Sequence, residues 1–392
     1  MNTFTLLFTI GIPLEKKVKK ELKTIKKPAV SSKIMPISSK NNYKDNDNKT
    51  DNKSSSQHEN EGQAESHVSS FDGQKAFEHF QKGNPDPEIE SKFEVLEQQK
   101  ERTIKEKGLT NSTFKDRLKS AGRNIGNIAK NAFDNTAGYV IAQGQNYQTT
   151  RALKKDSKQD VAYVVHGLAQ NIGSGWRRSK ELKKQGFRVY HVGVNHKKEL
   201  DEQYKSTSKK IDKFHKKAKI TDAYKREDGM IGHSSGANHV IYAAQQPDIK
   251  KKGIKYVTAV AGTPNGMEMN TPEAKALSKI LNIDADDKNT TKGKKTALEL
   301  NKRRPYISVD SVAGYYDGLV GVKDTAYQYA NKQHIINHPD STHFGTSGSN
   351  AYMNKILANI LAQQRNQLKK TYITNKKQYM PDFTDQDVKK AD

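Results

Sequence analysis

Cysteine is missing altogether from the 392 residues. No disulfide framework can form, thiolate catalysis and cysteine-bound zinc are excluded, and the compartment stays open, since such a chain tolerates reducing and oxidising surroundings alike. Acidic residues are short against basic ones, 44 Asp+Glu to 68 Lys+Arg, which gives a formal charge of +24. The deficit is uneven: residues 1–112 hold 19 Lys+Arg and 17 Asp+Glu, a net of +2, leaving +22 for the remainder. Such a field favours anionic partners, among them a membrane surface or an acidic substrate, and competes with the plainer reading of a lysine-rich solvated exterior. No nucleic-acid motif or stacking set of aromatics accompanies the lysines, so no specific nucleic acid is expected. Long apolar runs are lacking as well. Met1 to Leu14 is apolar but too short to cross a bilayer. It has no basic residue before it and no Ala-x-Ala-like site after it, and Glu15-Lys16-Lys17 puts the positive charge on the wrong side. Neither a cleaved signal nor a transmembrane helix is expected, which leaves a cytoplasmic protein or one exported by a signal-independent route.

What is present falls into zones. Residues 1–112, rich in Ser, Asn, Lys, Asp, Glu and Gln, read as a mostly disordered arm, interrupted by a charged helix over about 87–107 that buries little. Residues 113–150 place Phe114, Leu118, Ala121, Ile125, Ile128, Ala129, Ala132 and Phe133 at three- and four-residue steps, with Lys115, Arg117, Lys119, Arg123 and Lys130 opposite. That is a basic amphipathic helix, which either packs on a core or lies on a membrane. Residues 151–368 alternate strand and helix, the pattern of a mostly parallel sheet covered on both faces. Strands are predicted at 161–165, 187–194, 228–233, 254–261, 305–313 and 333–337, and helices at 174–185, 202–217, 235–246, 324–332 and 348–367. Residues 266–304 interrupt the alternation as a helical lid insertion, with helices predicted from Thr271 to Leu281 and from Thr296 to Arg303, and 369–392 form a loose tail.

The densest chemical signal is Gly232-His233-Ser234-Ser235-Gly236 between a strand and a helix. A Gly-x-Ser-x-Gly turn of this kind strains the serine backbone and lifts its hydroxyl clear of the sheet edge, and only small residues fit at the flanking positions. A serine hydroxyl needs a base within hydrogen-bond reach and a third group to fix the base's tautomer. Ser234 is the expected nucleophile, with Ser235 a rival hydroxyl. The base is expected to be His343 in Ser341-Thr342-His343-Phe344-Gly345, ahead of His334 and His338. The acid is expected to be Asp317 in Asp317-Gly318-Leu319-Val320, ahead of Asp310 inside a strand, whereas Asp324 and Asp340 read as solvated surface acids. Two preorganised N–H donors for an oxyanion are expected at Leu168, in His166-Gly167-Leu168 after the first strand, and at Ser235. His166, with Gly167, Gly232 and Gly236, supports that loop and turn, and Trp176 reads as packing. The remaining histidines form no metal set, so no metal or organic cofactor is expected.

From about Val161 to Phe344 the chain resembles bacterial lipases and lipase-like α/β-hydrolases. The likeness lies in His166-Gly167-Leu168, the helix with Trp176, Gly186-Phe187-Arg188-Val189-Tyr190, the Gly232 to Gly236 turn, Gly262-Thr263-Pro264-Asn265-Gly266, Asp317-Gly318-Leu319-Val320 and Ser341-Thr342-His343. It implies an α/β-hydrolase fold and cleavage of carboxylic esters, lipid esters among them, through an acyl-enzyme. In that scheme Ser234, His343 and Asp317 form the triad, and the N–H groups of Leu168 and Ser235 form the oxyanion hole. The chain departs from many relatives in Ala237-Asn238 after the turn, and no calcium-binding acid is identifiable. A long polar arm on a basic hydrolase-like domain is also similar to bacterial effectors exported without a signal. Two other readings stay open: acyl transfer to an alcohol with the same triad, and a non-catalytic membrane- or partner-binding protein on a hydrolase scaffold.

Overall fold

A computed structural model describes residues 86–168, 170–267 and 288–379. The elements are α1 (Pro87–Glu106), α2 (Phe114–Lys155), β1 (Val161–Val165), α3 (Arg178–Lys184), β2 (Arg188–Val192), α4 (Leu200–Ala218), β3 (Asp228–His233), α5 (Ser235–Ala244), β4 (Ile254–Val260), α6 (Thr291–Asn301), β5 (Ser308–Gly314), β6 (Lys332–Ile336) and α7 (Ala351–Tyr379). All six strands pair in parallel in the order β2-β1-β3-β4-β5-β6. Parallel strands need crossovers, and the crossover helices cover both faces, so β1, β3 and most of β4 and β5 are buried throughout. This is an α/β-hydrolase fold.

Strand alternation divides the core in two. Val161, Tyr163, Val165, Met230, Val257 and Ala259 face Ile211 and Phe214 of α4 and Val240 and Ile241 of α5. Ala162, Val164, Ile231 and Val260 face Leu182, Phe187 and the Met353, Leu357 and Leu361 row of α7. Successive side chains of one strand thus anchor two helical layers.

The sheet's amino end is closed by a buried charge. Asp228, fully buried, takes Val161 N–H at 2.7 Å and the Arg226 guanidinium at 2.9 and 3.0 Å, while the Tyr163 hydroxyl lies 3.4 Å away. Arg226 also donates to the carbonyls of Ser157 and Gln159. Replacing Asp228 with Ala would leave a buried guanidinium without its counter-charge, a loss of about 3–5 kcal/mol. A urea titration should show a correspondingly lower midpoint, and an unchanged midpoint would refute the pairing's importance.

Several expectations are corrected. The charged helix α1 does bury residues: Asp86 caps it, accepting from Glu88 N–H at 3.0 Å, and Phe93 and Leu96 pack on Ala297 of α6. Ile104 and Leu109 join Ala313, Val322 and Ala326. Few but regularly spaced apolar positions were enough. The helix expected at 324–332 is only a 3-10 turn, Lys323–Thr325, because Thr325 Oγ1 bonds Val322 O and Asn265 draws off the carbonyl of Ala326. Asp324 is buried and accepts Gly321 N–H at 3.0 Å, with Lys100 at 3.7 Å, so it is no surface acid. The helix expected at 174–185 divides into a 3-10 turn (Ile172–Gly175) and α3. With neither Gly nor Pro to stop it, α7 runs to Tyr379 beyond the expected end at 367. The insertion's second helix is α6; residues 268–287, including the first, lie outside the described residues, as do 1–85 and 380–392. Among the described residues no helix is long and apolar enough to cross a membrane.

Candidate active site

The turn from β3 into α5 is strained as its glycines require. Ser234 has φ 57° and ψ −127°, one of only three non-glycine residues with positive φ among those described. A Cβ at Gly232 would lie 2.1 Å from Gly236 O, and one at Gly236 would lie 2.3 Å from His166 O. Ser234 N–H bonds Val260 O at 2.9 Å, which ties the turn to β4. Strain of this kind persists only where the surroundings over-determine it.

Three loops at the carboxyl ends of β3, β5 and β6 converge on the turn. His343 Nε2 lies 3.2 Å from Ser234 Oγ, and its Nδ1 lies 2.9 Å from Asp317 Oδ2. The other oxygen of Asp317 accepts the N–H groups of Leu319 and Val320, both at 2.9 Å. The carboxylate is buried and cannot rotate without losing two bonds. Gly314 lets the acid and histidine loops touch, since a Cβ there would lie 2.0 Å from Ser341 O. The rivals go elsewhere: Asp310 pairs with His334 at 2.8 Å, and His338 packs on the Tyr352 ring at 4.3 Å. Asp340 accepts from Arg123 at 3.1 Å.

The loop after β1 closes the fourth side. Gly167 stands so near the serine that an added Cβ would lie 3.0 Å from Ser234 Cβ. Gln170 Oε1 accepts Gly167 N–H at 2.9 Å. Val194 N–H donates to His166 Nε2 at 3.1 Å, so the ring proton sits on Nδ1 and is donated to Gly167 O at 2.9 Å. Burial lowers the His166 pKa, which keeps the ring in this neutral form. Leu168 follows on the loop, and Ser235 is the first residue of α5.

Sequence reasoning missed several residues that hold the histidine loop. His233 Nε2 donates to His343 O at 2.9 Å, with the two rings 4.8 Å apart. Burial holds His233 neutral, its pKa well below the ordinary range. Arg178, fully buried, donates to Thr346 O and to Asn354 Oδ1, and burial lowers its pKa to about 10. From α2, Asn127 reaches Thr342 Oγ1 at 3.2 Å and Asn131 reaches Ser347 Oγ at 2.7 Å. Only the short turn-rich run around residues 341–349 hinted that this loop needs outside support. Trp176 packs against Gly138 of α2 and donates to Asp134 Oδ1 at 2.8 Å. Among the described residues no group of three or more His, Asp or Glu is placed to hold a metal ion.

No protein-family model matches the sequence, and no curated protein matches it. Solved structures similar in fold include an arylesterase, 13% identical, aligned over 53% of this chain and 75% of that one with a TM-score of 0.39. Lipase B of Aspergillus fumigatus is 12% identical over 49% of this chain and 50% of its own, with a TM-score of 0.39. An esterase of Pyrococcus furiosus is 13% identical over 54% and 83%, with a TM-score of 0.38.

Proposed function

We propose that the protein is a serine hydrolase that cleaves carboxylic esters, lipid esters among them, through an acyl-enzyme. The observation that carries this is one imidazole lying 3.2 Å from Ser234 Oγ and 2.9 Å from the Asp317 carboxylate. Ser234 Oγ attacks the ester carbonyl as its proton passes to His343 Nε2. The Asp317 carboxylate accepts a hydrogen bond from Nδ1–H and stabilises the imidazolium. The N–H groups of Leu168 and Ser235 receive the oxyanion, and at this step such donors lower the barrier most. Collapse of the tetrahedral adduct breaks the C–O bond, and Nε2 returns the proton to the leaving alcohol. Water then attacks the acyl-enzyme, giving up a proton to the same nitrogen, and the acid leaves with Ser234 restored.

A fluorophosphonate probe together with p-nitrophenyl esters of graded chain length tests this. Labelling should map to the peptide bearing Ser234, and hydrolysis of at least the short esters should stop in the labelled protein. A folded protein that takes no label and turns over none of these esters would remove the proposal.

A further inference from the structure

The inner face of α2 is fully engaged. Asn127 and Asn131 hold the histidine loop, Asp134 accepts from Trp176 and Arg177, Asn146 and Thr149 bond the backbone of β2, and Leu153 is buried in the core. The outer face is largely apolar, interrupted by exposed Thr136 and Gln143, and its large apolar side chains stand exposed. Phe133, Val140 and Tyr147, seven residues apart, are 56%, 73% and 68% exposed, and Tyr139 and Ile141 flank them. These five make up half of the ten large hydrophobic side chains that stand exposed among the described residues, all on one helix. Gly144, between Val140 and Tyr147, and Gly126, seven residues before Phe133, would meet nothing within 4 Å if given a Cβ, which leaves open space along the stripe. Scattered exposed apolar residues need no explanation, but a contiguous row does.

Charge identifies what covers it. Exposed Lys130, Arg151, Lys154 and Lys155 border the stripe, and none of the exposed residues from 129 to 155 is acidic. Lys130 also borders a cleft with Lys180 and Lys183, whose two acids, Glu181 and Asp340, are already paired with Lys184 and Arg123. A second copy docking by a two-fold axis through Val140 would bring Lys130 of one chain beside Arg151 of the other, a like-charge contact. A surface with apolar depth and negative headgroups suits both features at once: the rings enter the acyl boundary and the amines meet phosphates.

We infer that the outer face of α2, centred on Phe133, Val140 and Tyr147, is a docking surface for an anionic lipid bilayer. The helix that docks also grips the loop bearing His343, so binding sets the proposed ester site beside the lipid. This deepens the lipid-ester proposal and rests on it for the nature of the substrate; the docking itself is independent of catalysis.

The test is sedimentation of the full chain with phosphatidylglycerol vesicles and, separately, phosphatidylcholine vesicles. Binding is expected to the former only and to weaken as salt rises. The triple substitution Phe133→Ser, Val140→Ser, Tyr147→Ser should reduce the partition coefficient by about tenfold or more. Neutralising Arg151, Lys154 and Lys155 to Gln should reduce it on the order of fivefold per residue. Both variants should keep wild-type kcat/KM on a water-soluble short-chain ester and the wild-type melting temperature. Equal binding by wild type and the triple variant overturns the inference, as does equal binding to both vesicle types. A wild-type dimer that the triple variant abolishes would assign the face to a second copy instead. Loss of soluble-ester hydrolysis in wild type would overturn the catalytic proposal and leave the docking result standing.

Discussion

Substituting Ser234 with alanine is expected to lower kcat/KM on a p-nitrophenyl ester by about 10⁴ to 10⁶, and His343→Ala by a similar factor. The double variant should be scarcely worse than either single one. That non-additivity is the informative part: in the proposed mechanism Oγ and Nε2, 3.2 Å apart, perform one proton transfer together, so removing either partner removes the step. Asp317→Asn should cost about 10³ to 10⁴ while the fold survives, because an amide in that place favours the wrong imidazole tautomer. It would also disturb the two bonds from Leu319 and Val320 less than alanine would. Purified variants with matched circular dichroism give the comparison. Losses that multiply in the double variant would mean that Ser234 and His343 act separately, and the mechanism above would be wrong.

Much of the sheet was readable because its strands are short apolar runs bounded by turn residues. Val161 to Val165 and Asp228 to His233 begin and end where the pattern places them. The turn from Gly232 to Gly236 was readable because backbone geometry there admits so few residue types. Other features escaped for physical reasons. The 324–332 segment has helical composition, but its carbonyls are claimed by side chains distant in sequence, Asn265 for Ala326 and Lys107 for Tyr327. No local pattern records such long-range bonds. Arg178 was invisible for the opposite cause: in Gly175-Trp176-Arg177-Arg178 nothing distinguishes the arginine that stays partly exposed and pairs with Asp134 from the one that is wholly buried. The amphipathic pattern of the long basic helix allows either a core-packed or a membrane-facing placement, whereas its two faces differ in character, the inner one hydrogen-bonded and the outer one largely apolar.

The protein should lose stability steeply as pH falls below 6.5. His191, His196 and His239 have pKa values lowered to about 3, and His215 to about 4, in every case chiefly because burial penalises the charged ring. In the unfolded chain each would titrate near 6.5. Above that pH both states are neutral and the full stability is present. Below it the unfolded chain takes up protons that the fold refuses, so each ring costs up to about 1.4 kcal/mol per pH unit until the folded value is reached. At pH 5 the four together amount to about 8 kcal/mol, on the scale of a whole domain's stability. Acids whose pKa burial raises, Asp134, Asp160, Glu227 and Asp228, oppose the trend by taking protons first in the fold. The net expectation is a loss of several kcal/mol between pH 6.5 and 5. Urea midpoints at the two pH values measure it. His239 offers the cleanest single variant, since it is wholly buried and neither ring nitrogen has a partner among the described residues. His239→Leu should recover about 2 kcal/mol at pH 5 and cost little at pH 7.5. A midpoint that does not move with pH, together with a leucine variant as acid-sensitive as wild type, would show that these rings are not held neutral by the fold.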